Sequence, residues 1–223
     1  MMERTPMRFF ILGCCTVFML AGCSQQTGKA PLTSEQVARA GSDRQADINR
    51  AVDLMSSPDP RVRLAGVQQA ISNGDRNLRQ LALSMAFASS DPTLRGAALV
   101  GAIATANSLP IRFAGYYTKN HYISDKLGES FYVYIYQFNN STDEFTTRTE
   151  YSPWKTDSNG ERINIVKPGL VTGNSVKFGI DLSEVGNSDC LATLALDPAG
   201  STMHGTLMCK NNEAYAIASS AIN

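Results

Sequence analysis

Two cysteines constrain this chain more than any other feature, because they and the apolar pattern around them agree on a single strand register. Cys190 and Cys209 lie on either side of Ala199-Gly200, a natural turn. If a hairpin is centred there, paired residue numbers sum to 399. Cys190 then faces Cys209, Ala192 faces Leu207, Leu194 faces Gly205 and Leu196 faces Met203, so one side is wholly apolar or small. The other side pairs Thr193 with Thr206 and Ala195 with His204. A slip of one residue would send every apolar side chain to the wrong face and part the two sulfurs. Directly opposed residues of antiparallel strands sit within disulfide reach. A Cys190–Cys209 bond is therefore expected, closing a short loop for a stabilisation of about 3 kcal/mol.

A disulfide needs an oxidising compartment, and the N-terminus supplies one. Arg4 and Arg8 precede an apolar run from Phe9 to Leu20, which ends in small residues. This is the layout of an export signal, too short for a permanent membrane span. Its last residues, Leu20-Ala21-Gly22-Cys23, resemble the lipobox of bacterial lipoproteins. That resemblance implies cleavage before Cys23, two acyl chains on its thiol and a third, such as palmitate, on its new amino group. Two or more chains make a stable anchor where one does not. Ser24 follows the cysteine rather than Asp. By the sorting rule of enteric-type lipoproteins this implies the outer membrane, with the body expected to face the periplasm.

Loss of residues 1–22 leaves 18 basic and 19 acidic side chains and removes Cys14 and Cys15. With Cys23 acylated, only Cys190 and Cys209 remain to pair. Near-neutral charge without a basic tract argues against nucleic acid as a partner, since that affinity is built on phosphate neutralisation. Aromatic residues divide the rest. All eight tyrosines and the single tryptophan lie between Tyr116 and Tyr215, whereas residues 31–107 hold only Phe87 and are rich in Ala, Leu and Arg. The expected class is α+β: a signal over 1–22, a polar tether over 23–31, a short α-solenoid over 32–108 and an antiparallel β domain over 109–223.

The helical part carries an internal repeat. After a short helix capped at Thr33, a helix is expected from Ser42 to Met55, with Ile48, Ala51, Val52 and Met55 on one face. Asp59-Pro60, Asp75 and Asp91-Pro92 open three more. Leu64, Val67, Ala70 and Ile71 should be buried in the second, and Leu78, Leu81, Ala82 and Met85 in the third. From Asp59 onward an offset of 32 carries Arg63 to Arg95, Leu64 to Gly96, Ala65 to Ala97 and Ile71 to Ile103. Paired helices at this period are the mark of an α-solenoid. The opening Asp-Pro-x-x-Arg-x-x-Ala resembles HEAT-type repeats, which implies that Arg63 and Arg95 each pair with an Asp of a neighbouring repeat. The fourth helix is small or apolar nearly all round (Ala97 to Ala104) and needs cover on most sides, which the β domain should provide.

Strands are expected at Ile111–Thr118, Phe131–Phe138, Glu144–Tyr151, Arg162–Val166, Ser175–Leu182, Cys190–Leu196, Thr202–Cys209 and Glu213–Ser219, in simple succession. On the second, Phe131, Val133 and Ile135 share one face, and Tyr132, Tyr134, Tyr136 and Phe138 the other. The pattern fits a barrel or a sandwich. The run from Val171 with its mid-strand glycines loosely resembles small lipocalin-like or avidin-like barrels, and an immunoglobulin-like sandwich competes with it.

Catalytic signals are absent. His121 and His204 are far apart, no nucleophile elbow or phosphate loop occurs, and no cofactor or metal site is expected. Acidic residues fall at helix starts and turns, where capping accounts for them. The candidate binding surface is Tyr132, Tyr134 and Tyr136, extended by Trp154 in an expected loop; such faces stack on sugars or peptides but also pack in ordinary interfaces. The leading expectation is a non-enzymatic, lipid-anchored scaffold or adaptor that binds another envelope protein through the solenoid or an adjoining sheet edge. The alternative is a small-ligand-binding or hydrolase-inhibiting barrel, with tyrosines at an open mouth.

Overall fold

A computed structural model describes residues 33–116, 122–152, 154–156, 158–159, 162–198, 200–210 and 213–221. The expected export signal and tether, with Cys23, and His121 lie outside the described residues. The chain divides into two compact units, residues 1–41 and 42–223.

Helix α1 spans Ser34–Met55 without a break, so Ser42 is an interior residue rather than a cap. Thr33 caps it: its Oγ1 accepts from the Gln36 amide at 3.3 Å, while its own amide donates to the Gln36 side chain at 2.9 Å. This reciprocal pair satisfies two helix-end donors at once. Three further helices follow: α2 (Pro60–Ser72), α3 (Arg76–Phe87) and α4 (Pro92–Thr105). Their caps are the expected aspartates, with Asp59, Asp75 and Asp91 accepting from amides two residues on at 2.8 Å each.

α2, α3 and α4 pack against one another pairwise. Val67, Ala70 and Ile71 are buried in α2, and Leu78, Ala82, Leu83 and Phe87 in α3. Leu81, expected inside, is exposed; α3 touches both α2 and α4, which turns its buried arc toward Leu83 and Ala86. On α4 eight positions are buried, as a helix covered on most sides requires. Gly101 lies so close to Ile71 that a methyl group there would overlap the Ile71 side chain.

The β part is a closed antiparallel barrel, not a sandwich. Its strands are β1 (Ser108–Tyr116), β2 (Ser130–Asn139), β3 (Glu144–Thr149), β6 (Lys167–Thr172), β7 (Ser175–Leu182), β8 (Asn187–Leu196), β9 (Thr202–Cys209) and β10 (Ala214–Ser220). They neighbour one another in chain order, and β10 returns to β1. A short helix α5 (Tyr122–Leu127) precedes β2, and a separate hairpin of β4 (Trp154–Thr156) and β5 (Arg162–Asn164) interrupts the meander. Trp154 is thus in a strand rather than a loop; its side chain lies outside the described residues. Closure leaves the eight strands no free edge, which removes the sheet edge as a docking element.

Alternate residues fill the interior. Ile111, Val133, Phe178, Leu194, Met203, Leu207 and Tyr215 are each fully buried. Phe145 bridges Phe138 and Phe178, with ring centroids 6.2 Å from each. The β8–β9 hairpin adopts the expected register throughout, from Cys190↔Cys209 to Leu196↔Met203, and the disulfide is formed. Strand β6 is absent from the sequence expectation because Pro168-Gly169 reads as a breaker. Here Gly169 is required: the Phe145 ring occupies the space of its missing side chain at 2.5 Å.

Candidate functional site

The two halves of the 42–223 unit meet at consecutive residues of α4. Arg63, in the first repeat, reaches Asp91 of the next at 3.6 Å and donates to the Ser57 carbonyl at 2.8 Å. Arg95, its counterpart, has no following repeat. Contrary to expectation it pairs with no aspartate among the described residues; its guanidinium is buried and donates to the backbone carbonyls of Pro198 and Gly200 in the β8–β9 turn. The next residue, Gly96, lets the β6–β7 turn approach: a side chain there would stand 3.3 Å from the Gly173 carbonyl oxygen. Two barrel turns therefore take the place of a third helical repeat.

This junction leaves a groove of about 920 Å³ between the helices and the barrel turns. Its floor is the small-residue face of α4, chiefly Ala97, Val100 and Ala104; Leu64, Gln68 and Ser72 of α2 form one wall, and Asn140, Asp143 and Gly173 the other. Asp143 holds a positive φ of 56° at the end of the β2–β3 turn, where Asp is among the few residues that accept it. Arg79 closes one end, committed to the C-terminus of α2 through bonds of 3.0 Å to the Ile71 and Asn73 carbonyls. An apolar floor between polar walls suits a polypeptide segment, whose side chains can enter the floor while its amides meet Asn140 and Asp143. Gln68, Thr93 and Asp143 were not among the sequence candidates. Their sequence signal is a set of mismatches in the repeat, Arg61 against Thr93, Leu64 against Gly96 and Gln68 against Val100.

The expected surface is elsewhere. Tyr132, Tyr134 and Tyr136 stand in one line on the outer wall of β2, 53%, 37% and 41% exposed. They line no barrel mouth. Gln137, with φ of 51°, makes a bulge after Tyr136, and the bulge reverses the alternation. Phe138 consequently turns toward Phe145 instead of extending the tyrosine line.

At one end of the barrel Asp189 bridges two ammonium groups, Lys167 and Lys210, and Lys167 also lies 3.6 Å from the buried Asp181. The Lys167 hydrogen bond holds the Asp189 carboxyl below its ordinary value, and the same bond raises the Lys167 ammonium. His204 sits 3.3 Å from Asp197 on the outer wall, both well exposed. Among the described residues no three His, Cys, Asp or Glu side chains come together as a metal site, and no helix is long and apolar enough to cross a membrane. The chain matches no protein-family model, no curated protein and no solved structure.

Proposed function

We propose that this chain is a non-enzymatic adaptor of the bacterial envelope, anchored through acylated Cys23 and holding a segment of another protein in the groove between α2, α4 and the barrel turns. The observation that carries the reading is the groove itself. It is open, large enough for a short polypeptide segment, and built where a helical repeat ends against a barrel rather than left by loose packing. Solenoids serve as extended binding surfaces, and residues of α2 and α4 both line the groove here. The packed barrel interior argues against the small-ligand alternative, because Tyr215, Phe178 and Met203 occupy the space a ligand would need. The outward tyrosines add a second surface for a partner that extends beyond the groove.

Site-specific photo-crosslinking in the native envelope tests this. A photoreactive residue replacing Gln68 or Thr93, both exposed in the groove, is expected to yield one shared protein adduct. The same residue at Thr193, on the outer barrel wall, is expected to yield none. No adduct from the groove, or the same adduct from all three, overturns the reading. The anchor has its own test: Cys23→Ser should leave the precursor uncut and unlabelled by palmitate, and normal processing of that variant would remove the lipoprotein assignment.

A further inference from the structure

The outer wall of the barrel carries a second surface with an internal symmetry of charge. Leu170 on β6 is 42% exposed, and its cross-strand partners are Glu144 on β3 and Lys177 on β7. Neighbouring strands lie about 4.8 Å apart, so the two charges flank Leu170 at nearly equal distances. Both are exposed, and neither forms an ion pair with another described residue. The adjoining register lines carry no charge: Tyr136 pairs with Thr146 and Thr146 with Pro168 on one side, and Gly179 with Leu191 on the other. Thr146, Pro168, Gly179 and Leu191 line, with Leu170, a shallow depression of about 590 Å³ in this otherwise convex wall.

We infer that this wall is the contact between two copies of the chain. Place a twofold axis along β6, in the plane of contact, through Leu170. The rotation lays Lys177 of one copy over Glu144 of the other, and the reverse, so both charges are paired by a single operation. Leu170 and Pro168 meet their own counterparts, while β2 and β8, each two strands from β6, curve away from the contact. An unrelated protein would have to supply this opposite-sign pair at matching spacing; a second copy carries it. A lipid surface fits less well. Arg148 next to Tyr134, and Asp189 with Lys210 next to Leu191, bound the apolar line on its other side, and lipid contact would drive charges on both margins into the membrane. The wall is convex and its apolar part narrow, so the contact is smaller than a standard interface of about 800 Å² per partner and should form a reversible dimer. Anchoring both copies to one membrane would favour it by raising their effective concentration.

A residue on a twofold axis can be crosslinked to itself, which gives a direct test in the full chain. Leu170→Cys in native membranes is expected to produce a disulfide-linked dimer several-fold more abundant than Thr193→Cys, which lies two strands away on the same register line. In the Leu170→Cys background, Glu144→Lys or Lys177→Glu alone should reduce the dimer at least several-fold. The double exchange Glu144→Lys with Lys177→Glu should restore it. Equal crosslinking at Leu170 and Thr193 overturns the inference. So does a double exchange no better than either single one, since loss of both charges' complementarity is then not what the single variants read.

Discussion

Arg63 and Arg95 occupy equivalent places in the repeat, yet burial makes their contributions different. Arg63 is partly exposed, and its contact with Asp91 resembles a surface ion pair, of the order of 1 kcal/mol or less. Arg95 is 5% exposed and bonds two turn carbonyls. Removing it breaks both bonds and empties the space its buried side chain fills, and hydrogen bonds to charged groups are the stronger kind. Arg95→Ala should therefore lower unfolding free energy by about 2–4 kcal/mol, and Arg63→Ala by about 1 kcal/mol. Urea denaturation of both variants checks this. Equal losses would mean that Arg95 is an ordinary repeat arginine and not the residue that joins the two halves.

At the scale of elements, the β8–β9 hairpin shows what sequence pattern can determine. Its register, its apolar face and its disulfide follow from one numerical relation among residues 190–209, because strand alternation is strict and a slip is costly. Removing the bond as Cys190→Ala with Cys209→Ala should cost about 3 kcal/mol, or roughly 6–12 °C in Tm for a body of this size. A change below about 1 kcal/mol would show that the register holds without the sulfurs. Other elements were less legible, each for a local reason. Pro168-Gly169 reads as a break, yet an edge-free strand needs that glycine because Phe145 fills its place. Gln137 gives no sign of a bulge, since a positive φ at a non-glycine residue is set by surrounding packing and not by propensity. That single residue sends Phe138 inward and ends the tyrosine line. The α2–α4 groove was legible only as mismatches in the repeat, and the meaning of Leu64 against Gly96 depends on turns more than seventy residues later in the chain.

For the whole molecule, the 42–223 unit joins helices and barrel through buried contacts, so both parts should lose structure in one transition. Among the described residues, three carboxylates contribute to its acid response. Asp75 and Asp91 are held below the ordinary 3.8 first by backbone amides of their own helix starts, from Leu78 and Thr93 respectively, with Arg44 and Arg63 adding to the effect. Asp189 is held down by Lys167 and then Lys210. A carboxyl whose folded value is depressed contributes stability that is complete above its unfolded value and is lost as pH falls through the folded one. Lys167 runs the other way: raised above 10.5, it stabilises below that pH and loses the effect as pH climbs past its folded value. Stability from these groups should form a plateau between roughly pH 4 and pH 10.5, with an acid limb below it. Asn caps helices about as well as Asp, so Asp75→Asn with Asp91→Asn keeps the cap bonds and removes the titrating charges with their ion pairs to Arg44 and Arg63. The double variant should be less stable than the parent at pH 7 in a urea melt, by the contribution the charges make there, and show a shallower acid limb that brings the two proteins together at low pH. Because the unit is cooperative, helical circular dichroism and tyrosine signals from the barrel should shift together in both proteins. An acid limb of undiminished slope would place the titration elsewhere, and helices that melt before the barrel would show that the contacts of Arg95 and Gly96 do not join the two parts.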